Sequence, residues 1–539
     1  MPPIKTIYDL GFDKLLNKSL TSISSGLVYD PIGSSLNTAQ MLTGGQLTLK
    51  SLSIGGLVKQ VAPGDDIQAA INAVNREGGG TVQLLAGTYL LGNNIEVKSN
   101  VTLAGGGIGN TVIDFNAGAF QVFFQGTART VGGTGVTITE GLATVTGIGG
   151  TTFLTDVAAG DILFLTSTLS GAFAEVSSIT SNTVLVLKKA WAYPTVTDFN
   201  FVISKANSNG QIKNLTITNS SESGANQGVL HVERAINFLA ENVLVYANTA
   251  AVGVRCNSVI NSEFRNVESS YNGDDTADHG FSIDTVKRVS FYNCSALGNA
   301  GDGFTSGSGY ASEGNTFYSC FAEGNTGNGF DLSDRATLFS CRSMGNDGDG
   351  YELNGIIMVI SGCSAIDNGA DGIEVTATGD SINIRDCFLR NNDAWGIDIL
   401  ASGSQVVISK CFYSGNASGT VRNAGTNNHY DNTESGTFTA VNGANNNIAT
   451  TTTEARFIRI SGPTAAFSIS GIANGINGKT VILYNSVAFD MTITNDATST
   501  AANRILTLTG ADVVLTGVSS ATFIYNLTDA RWILVGTSG

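Results

Sequence analysis

Residues 320–332 read CFAEGNTGNGFDL, and residues 341–353 read CRSMGNDGDGYEL. Each stretch places an asparagine five residues after its cysteine (Asn325, Asn346) and then a Gly-apolar pair (Gly329-Phe330, Gly350-Tyr351). The same order recurs from Cys294, Cys363, Cys387 and Cys411, with Asn299, Asn368, Asn392 and Asn416 at the fixed offset. Gly303-Phe304, Gly372-Ile373 and Gly396-Ile397 follow the first three of those asparagines. Without cysteine the series extends back through Val267, Asn272 and Gly280-Phe281, and through Val243, Asn248 and Gly253-Val254. The asparagines are spaced 24, 27, 26, 21, 22, 24 and 24 residues apart. A period of this length marks stacked supersecondary units.

Alternation follows each glycine, as in Phe330-Asp331-Leu332 and Ile373-Glu374-Val375. Period two belongs to strands with one face in and one out. About 22 residues suffice for three short strands and three turns, one coil of a parallel β-helix, with coils stacked about 4.8 Å apart. Phe281, Phe304, Phe330, Tyr351, Ile373 and Ile397 then form an internal stack. The asparagines form a ladder at a tight turn, where Asn tolerates unusual dihedrals and its amide can bond the next coil. The six cysteines of the column are too widely spaced for a metal site and read as small, buried, unpaired apolar residues.

The fold class expected is therefore all-β. Residues 1–56 are a lead-in, with a short helix about Ile7, Leu10, Leu15 and Leu16. Residues 57–118 open the solenoid with a capping helix whose buried face is Ile67, Ala70, Ile71 and Val74, begun by Asp65 or Asp66. Residues 119–205 break the period and read as an inserted small β-domain. Coils fill 206–429. Residues 430–539 lose the repeat and read as a C-terminal antiparallel β-sandwich.

The chain has 539 residues and a net charge of −16. That acidity argues against nucleic acid as a partner. No apolar run is long enough for a membrane span. The start, MPPIKTIYDLGFDKLLNK, has no apolar core of a signal peptide.

Two residues past each repeat glycine lie Arg255, Ser282, Thr305, Asp331, Glu352, Glu374 and Asp398. The last four are carboxylates expected to stack on consecutive coils. Carboxyl groups about 5 Å apart suit a retaining glycosidase, and about 6.5–9.5 Å an inverting one. Crowded like charges raise at least one pKa, as a general acid needs. An ordinary charged strand face and a cation site are the competing readings. The catalytic candidates are Asp331, Glu352, Glu374 and Asp398, with Asp284 outlying. Tyr310 and Trp395 are the nearest aromatic rings for a sugar face. Arg255 and Arg335 are the cations that could offset the acidic stripe, which otherwise favours a neutral glycan. His279 is a further binding candidate or a base positioned by Asp278. The turns GNAGDG, GNDGDG and DNGADG are read as turn chemistry rather than calcium loops. No cofactor and no metal are expected.

The segment GDDIQAAINAVNREGGGTVQLLAGTYLL…SNVTLAGGG resembles the opening of pectate-lyase-like right-handed β-helix proteins, which include polysaccharide lyases, glycosidases and phage tailspikes. The stretch GINGKTVILYN…ATFIYNLTDARWILVG is similar to terminal domains of phage tail fibres and spikes, and AGDILFL with ITSNTVLVL resembles a small barrel module of phage structural proteins. The repeat core also resembles mannuronan C5-epimerase modules. In those an aspartate follows the glycine by two and a histidine by four, whereas here the matching pairs are Ser282 with Asp284 and Asp331 with Ser333. The resemblance implies a homotrimeric tailspike or tail-fibre-like virion protein. It would join other virion proteins through its N-terminus, trimerise through 430–539, and bind cell-surface polysaccharide along the β-helix, with hydrolysis as a further activity. A structural or adhesin-like spike without catalysis is the alternative, and a lyase or epimerase a third.

Overall fold

A computed structural model describes residues 39–41, 47–49 and 57–538, except 166–171, 222–227, 250, 308–312, 334, 377–378, 402, 426–427, 432–434 and 450–454. The helix expected about Ile7–Leu16 lies outside these residues.

The repeat winds as a parallel β-helix. One column of strands pairs in parallel from Ile95–Glu96 and Val122–Gln125 through Gly228–Ile236, Val252–Ile260, Phe281–Asp284, Phe304–Ser306, Phe330–Leu332, Tyr351–Leu353 and Ile373–Val375 to Trp395–Ile399 and Gly419–Asn423. The other two strands of each coil, such as Arg335–Phe339 and Arg342–Met344, stack in their own parallel columns. Within the first column register is uniform, so each sequence offset there becomes a straight row on the surface or in the core.

Inside, Phe281, Phe304, Phe330 and Tyr351 stack with ring centroids 4.5, 4.8 and 5.0 Å apart and planes within 10°. A second stack, Phe264, Phe291 and Phe317, meets it edge to face, as at Phe304–Phe317. Offset and edge contacts of this kind add stability beyond buried area. All seven cysteines are buried free thiols. Burial pushes the thiols of Cys256, Cys320 and Cys341 up from their ordinary pKa, which keeps them unreactive.

The asparagine ladder is continuous. Each Nδ2 donates to the Oδ1 of the next asparagine, from Asn248 to Asn416, at 2.8–3.0 Å. The ladder residues do not carry the strained dihedral. Positive φ falls one residue earlier, at Gly298, Gly324, Gly345, Asp367, Asn391 and Gly415, so the turn is made first and the asparagine then points inward. The repeat glycines serve close packing: a Cβ on Gly303 would meet the Gly329 carbonyl at 2.6 Å and the Asn325 amide at 3.0 Å.

Helix Ile67–Arg76 closes the first coil. Asp66 caps it by accepting from the Ala69 N–H, and Ile67, Ala70, Ile71 and Val74 are buried. The insertion is an antiparallel sheet from Thr127–Arg129 to Phe201–Lys205 with its own core. Residues 122–125, expected to belong to it, instead form a solenoid strand, because Val122 and Phe124 are buried in the main core. The insertion touches the coils at Lys287, whose Nζ donates to the Phe173 carbonyl and lies 4.6 Å from the Phe173 and Tyr193 ring centroids.

Residues 435–538 form a six-stranded and a four-stranded sheet around a separate core. They differ from the antiparallel sandwich expected. Ser435–Thr439, Phe457–Ser461 and Thr480–Asn485 pair in parallel, as do Gly443–Asn445, Phe467–Ile469 and Met491–Ile493. The chain alternates between the two sheets, so winding continues after the Cys-Asn-Gly signature has ended. Antiparallel pairing begins only with Ser519–Asn526 against Thr480–Asn485 and Val513–Leu515 against Met491–Ile493.

Candidate functional site: a carboxylate face on the solenoid

The outward residues of the first column align in one row: His231, Arg255, Ser282, Thr305, Asp331, Glu352, Glu374, Asp398 and Arg422. Four candidate carboxylates are thus brought together on consecutive coils. A second row runs beside them, from the residue before each repeat glycine: His279, Asp302, Asn328, Asp349, Asp371 and Trp395. The side chains of the first five accept the backbone N–H of the next member at 2.5–3.0 Å. The sequence alone places Asp302, Asp349 and Asp371 in turns. Their constant place before the glycine was the available signal that they share a face with the acidic row.

The carboxylates differ in their surroundings. Asn354 Nδ2 donates both to Asp331 Oδ1, at 2.9 Å, and to Glu352 Oε1, at 3.0 Å. Those two oxygens are consequently no more than about 6 Å apart, within reach of glycosidic chemistry. Asn328 Nδ2 donates to the other Glu352 oxygen at 2.6 Å. Burial, with Glu352 and Asp302 alongside, pushes the Asp331 carboxyl up to about 7. Burial does the same to Asp349, also up to about 7, with Glu374, Asp371 and Glu352 adding repulsion and the Asp371 N–H opposing it. Asp371 and Glu374 are raised as well, chiefly by burial.

Asp398 is fully buried beneath Arg422, which grips both of its oxygens through Nε and Nη2. Arg422 also lies 5.9 Å from the Trp395 ring centroid, so this aromatic candidate stands at the C-terminal end of the face beside the ion pair. Oxygens of Asp371, Glu374 and Asp398 lie within 4.8 Å of one another and could together hold a cation.

Other candidates fall elsewhere. Asp284 lies in the row beside the acidic one, opposite Asn257, and holds Arg255 at 2.7 Å. Arg255 also reaches Ser282 Oγ at 3.2 Å, so both contacts tie it to the next coil, which precedes the acidic stretch. His279 is positioned by Asp302, not by Asp278: its Nδ1 accepts the Asp302 N–H at 3.0 Å, while Asp278 caps its own loop at Asp274. Arg335 is exposed on the neighbouring column. Tyr310 lies outside the described residues.

The family description "Right handed beta helix region" matches residues 253–413, under a third of the chain. The solenoid is a right-handed parallel β-helix. No curated protein matches in sequence. Among solved structures, the chain is similar to the Azotobacter vinelandii mannuronan C-5 epimerase AlgE4 A-module, at 16% identity over 67% of this chain and 94% of that one, TM-score 0.43. It is similar to the Pseudomonas phage phi297 tailspike gp61, at 13% identity over 79% and 80%, TM-score 0.41. It is also similar to the Gp54 tailspike of Acinetobacter baumannii bacteriophage AP22, solved with A. baumannii capsular saccharide, at 12% identity over 82% and 85%, TM-score 0.39. At these levels no residue role transfers from one chain to another. Among the described residues no helix is long and apolar enough to cross a membrane.

Proposed function

We propose that this chain binds cell-surface polysaccharide along the carboxylate face and hydrolyses it. One observation carries the reading: Asp331, Glu352 and Glu374 line successive coils of one face, Asp331 and Glu352 are bridged by one amide at a separation that glycosidic chemistry uses, and Asp331 is pushed up to about 7, where a carboxylic acid still holds a proton to give. A merely charged surface strand would have no reason to bury its carboxylates or to bridge them with an asparagine amide. Hydrolysis is favoured over elimination or epimerisation because no coil offers the Asp-then-His pair at the offsets of the epimerase modules.

The acidic face favours a glycan of low charge, bound over several coils. Following the tail-fibre resemblance, the chain works as a homotrimer joined through 430–539 and attached to a virion through 1–56. The test is incubation with purified capsular and O-antigen polysaccharides. New reducing ends are expected from the parent protein and none from the double variant Glu352→Gln, Glu374→Gln. Binding without reducing ends would support the adhesin reading.

A further inference from the structure

The pairing of carboxylates on this face is not symmetric. Both oxygens of Glu352 receive an amide N–H, Oε1 from Asn354 and Oε2 from Asn328. Among the described residues only Oδ1 of Asp331 receives a donor, the same Asn354 amide. A carboxylate whose two oxygens both accept is favoured in its charged form, whereas one with a free oxygen keeps a place for a proton. We infer that Asp331 and Glu352 divide the work, Asp331 carrying the proton and Glu352 the charge, with Asn354 and Asn328 as the positioning residues that set the division.

The charged groups around Asp331 agree. Asp302 faces it from the preceding coil, His279 from the coil before that and Glu352 from the next, and burial with the two carboxylates outweighs the Asn354 amide and the imidazole. Asn328 is itself fixed, since its Oδ1 accepts the Asp349 N–H at 2.7 Å. The Asn328 half of the asymmetry is thus anchored on the backbone.

The inference rests on the hydrolytic reading and gives it a definite course. Asp331 passes its proton to the departing glycosidic oxygen while a Glu352 oxygen bonds to the anomeric carbon and the glycosidic bond breaks. Water then gives a proton to the Asp331 carboxylate and its oxygen to the anomeric carbon, and the bond to Glu352 is released. The close approach of the two carboxyls leaves no room for a water between them in the first step, so configuration at the anomeric carbon is retained.

Infrared difference titration of the full chain between pH 5 and 9 tests the division without a substrate. The parent should show two carboxyls titrating near 7, Asp331 and Asp349. The test is therefore run in an Asp349→Asn background, where the single remaining component should be removed by Asp331→Asn. Glu352→Gln should leave that component in place but lower its midpoint, because a negative neighbour is gone. Asn354→Leu should move it, which a merely structural asparagine would not do. Loss of the component in Glu352→Gln with its survival in Asp331→Asn would overturn the inference. With a cleaved polysaccharide in hand, Asp331→Asn should lower kcat about a hundredfold or more with KM little changed, and the first product should retain its anomeric configuration. An inverted product would overturn the assigned course. A correct titration with no reducing ends from any polysaccharide would overturn the hydrolytic reading on which the roles rest.

Discussion

Replacing Asn325 by alanine removes the middle of the ladder. Its Oδ1 accepts from the Asn299 backbone N–H at 3.0 Å and from Asn299 Nδ2 at 2.9 Å. Its own Nδ2 donates to Asn346 Oδ1 at 2.8 Å and to the Ala296 carbonyl at 3.0 Å. Asn346 Oδ1 still accepts the residue 325 N–H. The Asn299 N–H, one of its amide hydrogens and the Ala296 carbonyl lose a partner in a site closed to water. At about 1–2 kcal/mol per orphaned group, the loss over these three groups comes to about 3–6 kcal/mol. Coils contact only their neighbours, so the damage should open the solenoid locally before it unfolds the whole chain. Chemical denaturation should show the lowered stability, and hydrogen exchange should show lost protection at Asn299 and its neighbours. A variant within about 0.5 kcal/mol of the parent, with exchange at Asn299 unchanged, would refute the reasoning.

Three further outcomes follow. Native protein should leave all seven cysteines unmodified by a thiol reagent, with full reaction only after denaturation, because each is buried; fast labelling in the folded state would contradict the packing. Asp331 and Asp349 are raised to about 7, so the folded chain holds protons that the unfolded chain has released. Stability should therefore fall as pH rises from about 4 to about 7 and level off above, by at most about 4 kcal/mol per carboxyl and less on this partly solvated face. Asp331→Asn should flatten the profile in a thermal melt series, and a profile rising through that window would contradict the sign. Native mass measurement should give a trimer for the full chain and a smaller species when 430–539 is removed; a monomeric full chain would end the assembly proposal.

The solenoid was legible because its signature is repeated chemistry. A cysteine, an asparagine and a glycine at fixed offsets each answer a packing demand that recurs once per coil. The acidic row at Asp331, Glu352 and Glu374 was legible for the same reason. What was missed has a physical cause in each instance. Asp302, Asp349 and Asp371 sit in Gly- and Asn-rich turns, where local turn preference accounts for an aspartate before any tertiary contact is considered. Arg422 belongs to the strand Gly419–Asn423, where the signature has faded, so its grip on Asp398 could not be read from the repeat. The parallel winding of 435–493 was hidden because alternation reports strands but not the direction of their neighbours.

The central claim is that the carboxylate face delivers water to a glycosidic bond. The most direct measurement is mass spectrometry of oligosaccharides released from purified capsular or O-antigen polysaccharide in water enriched with heavy oxygen. The account predicts saturated products carrying one heavy oxygen at the new reducing end, and none from the Glu352→Gln, Glu374→Gln variant. Products with an unsaturated sugar and no heavy oxygen, or undiminished release by that variant, would contradict it.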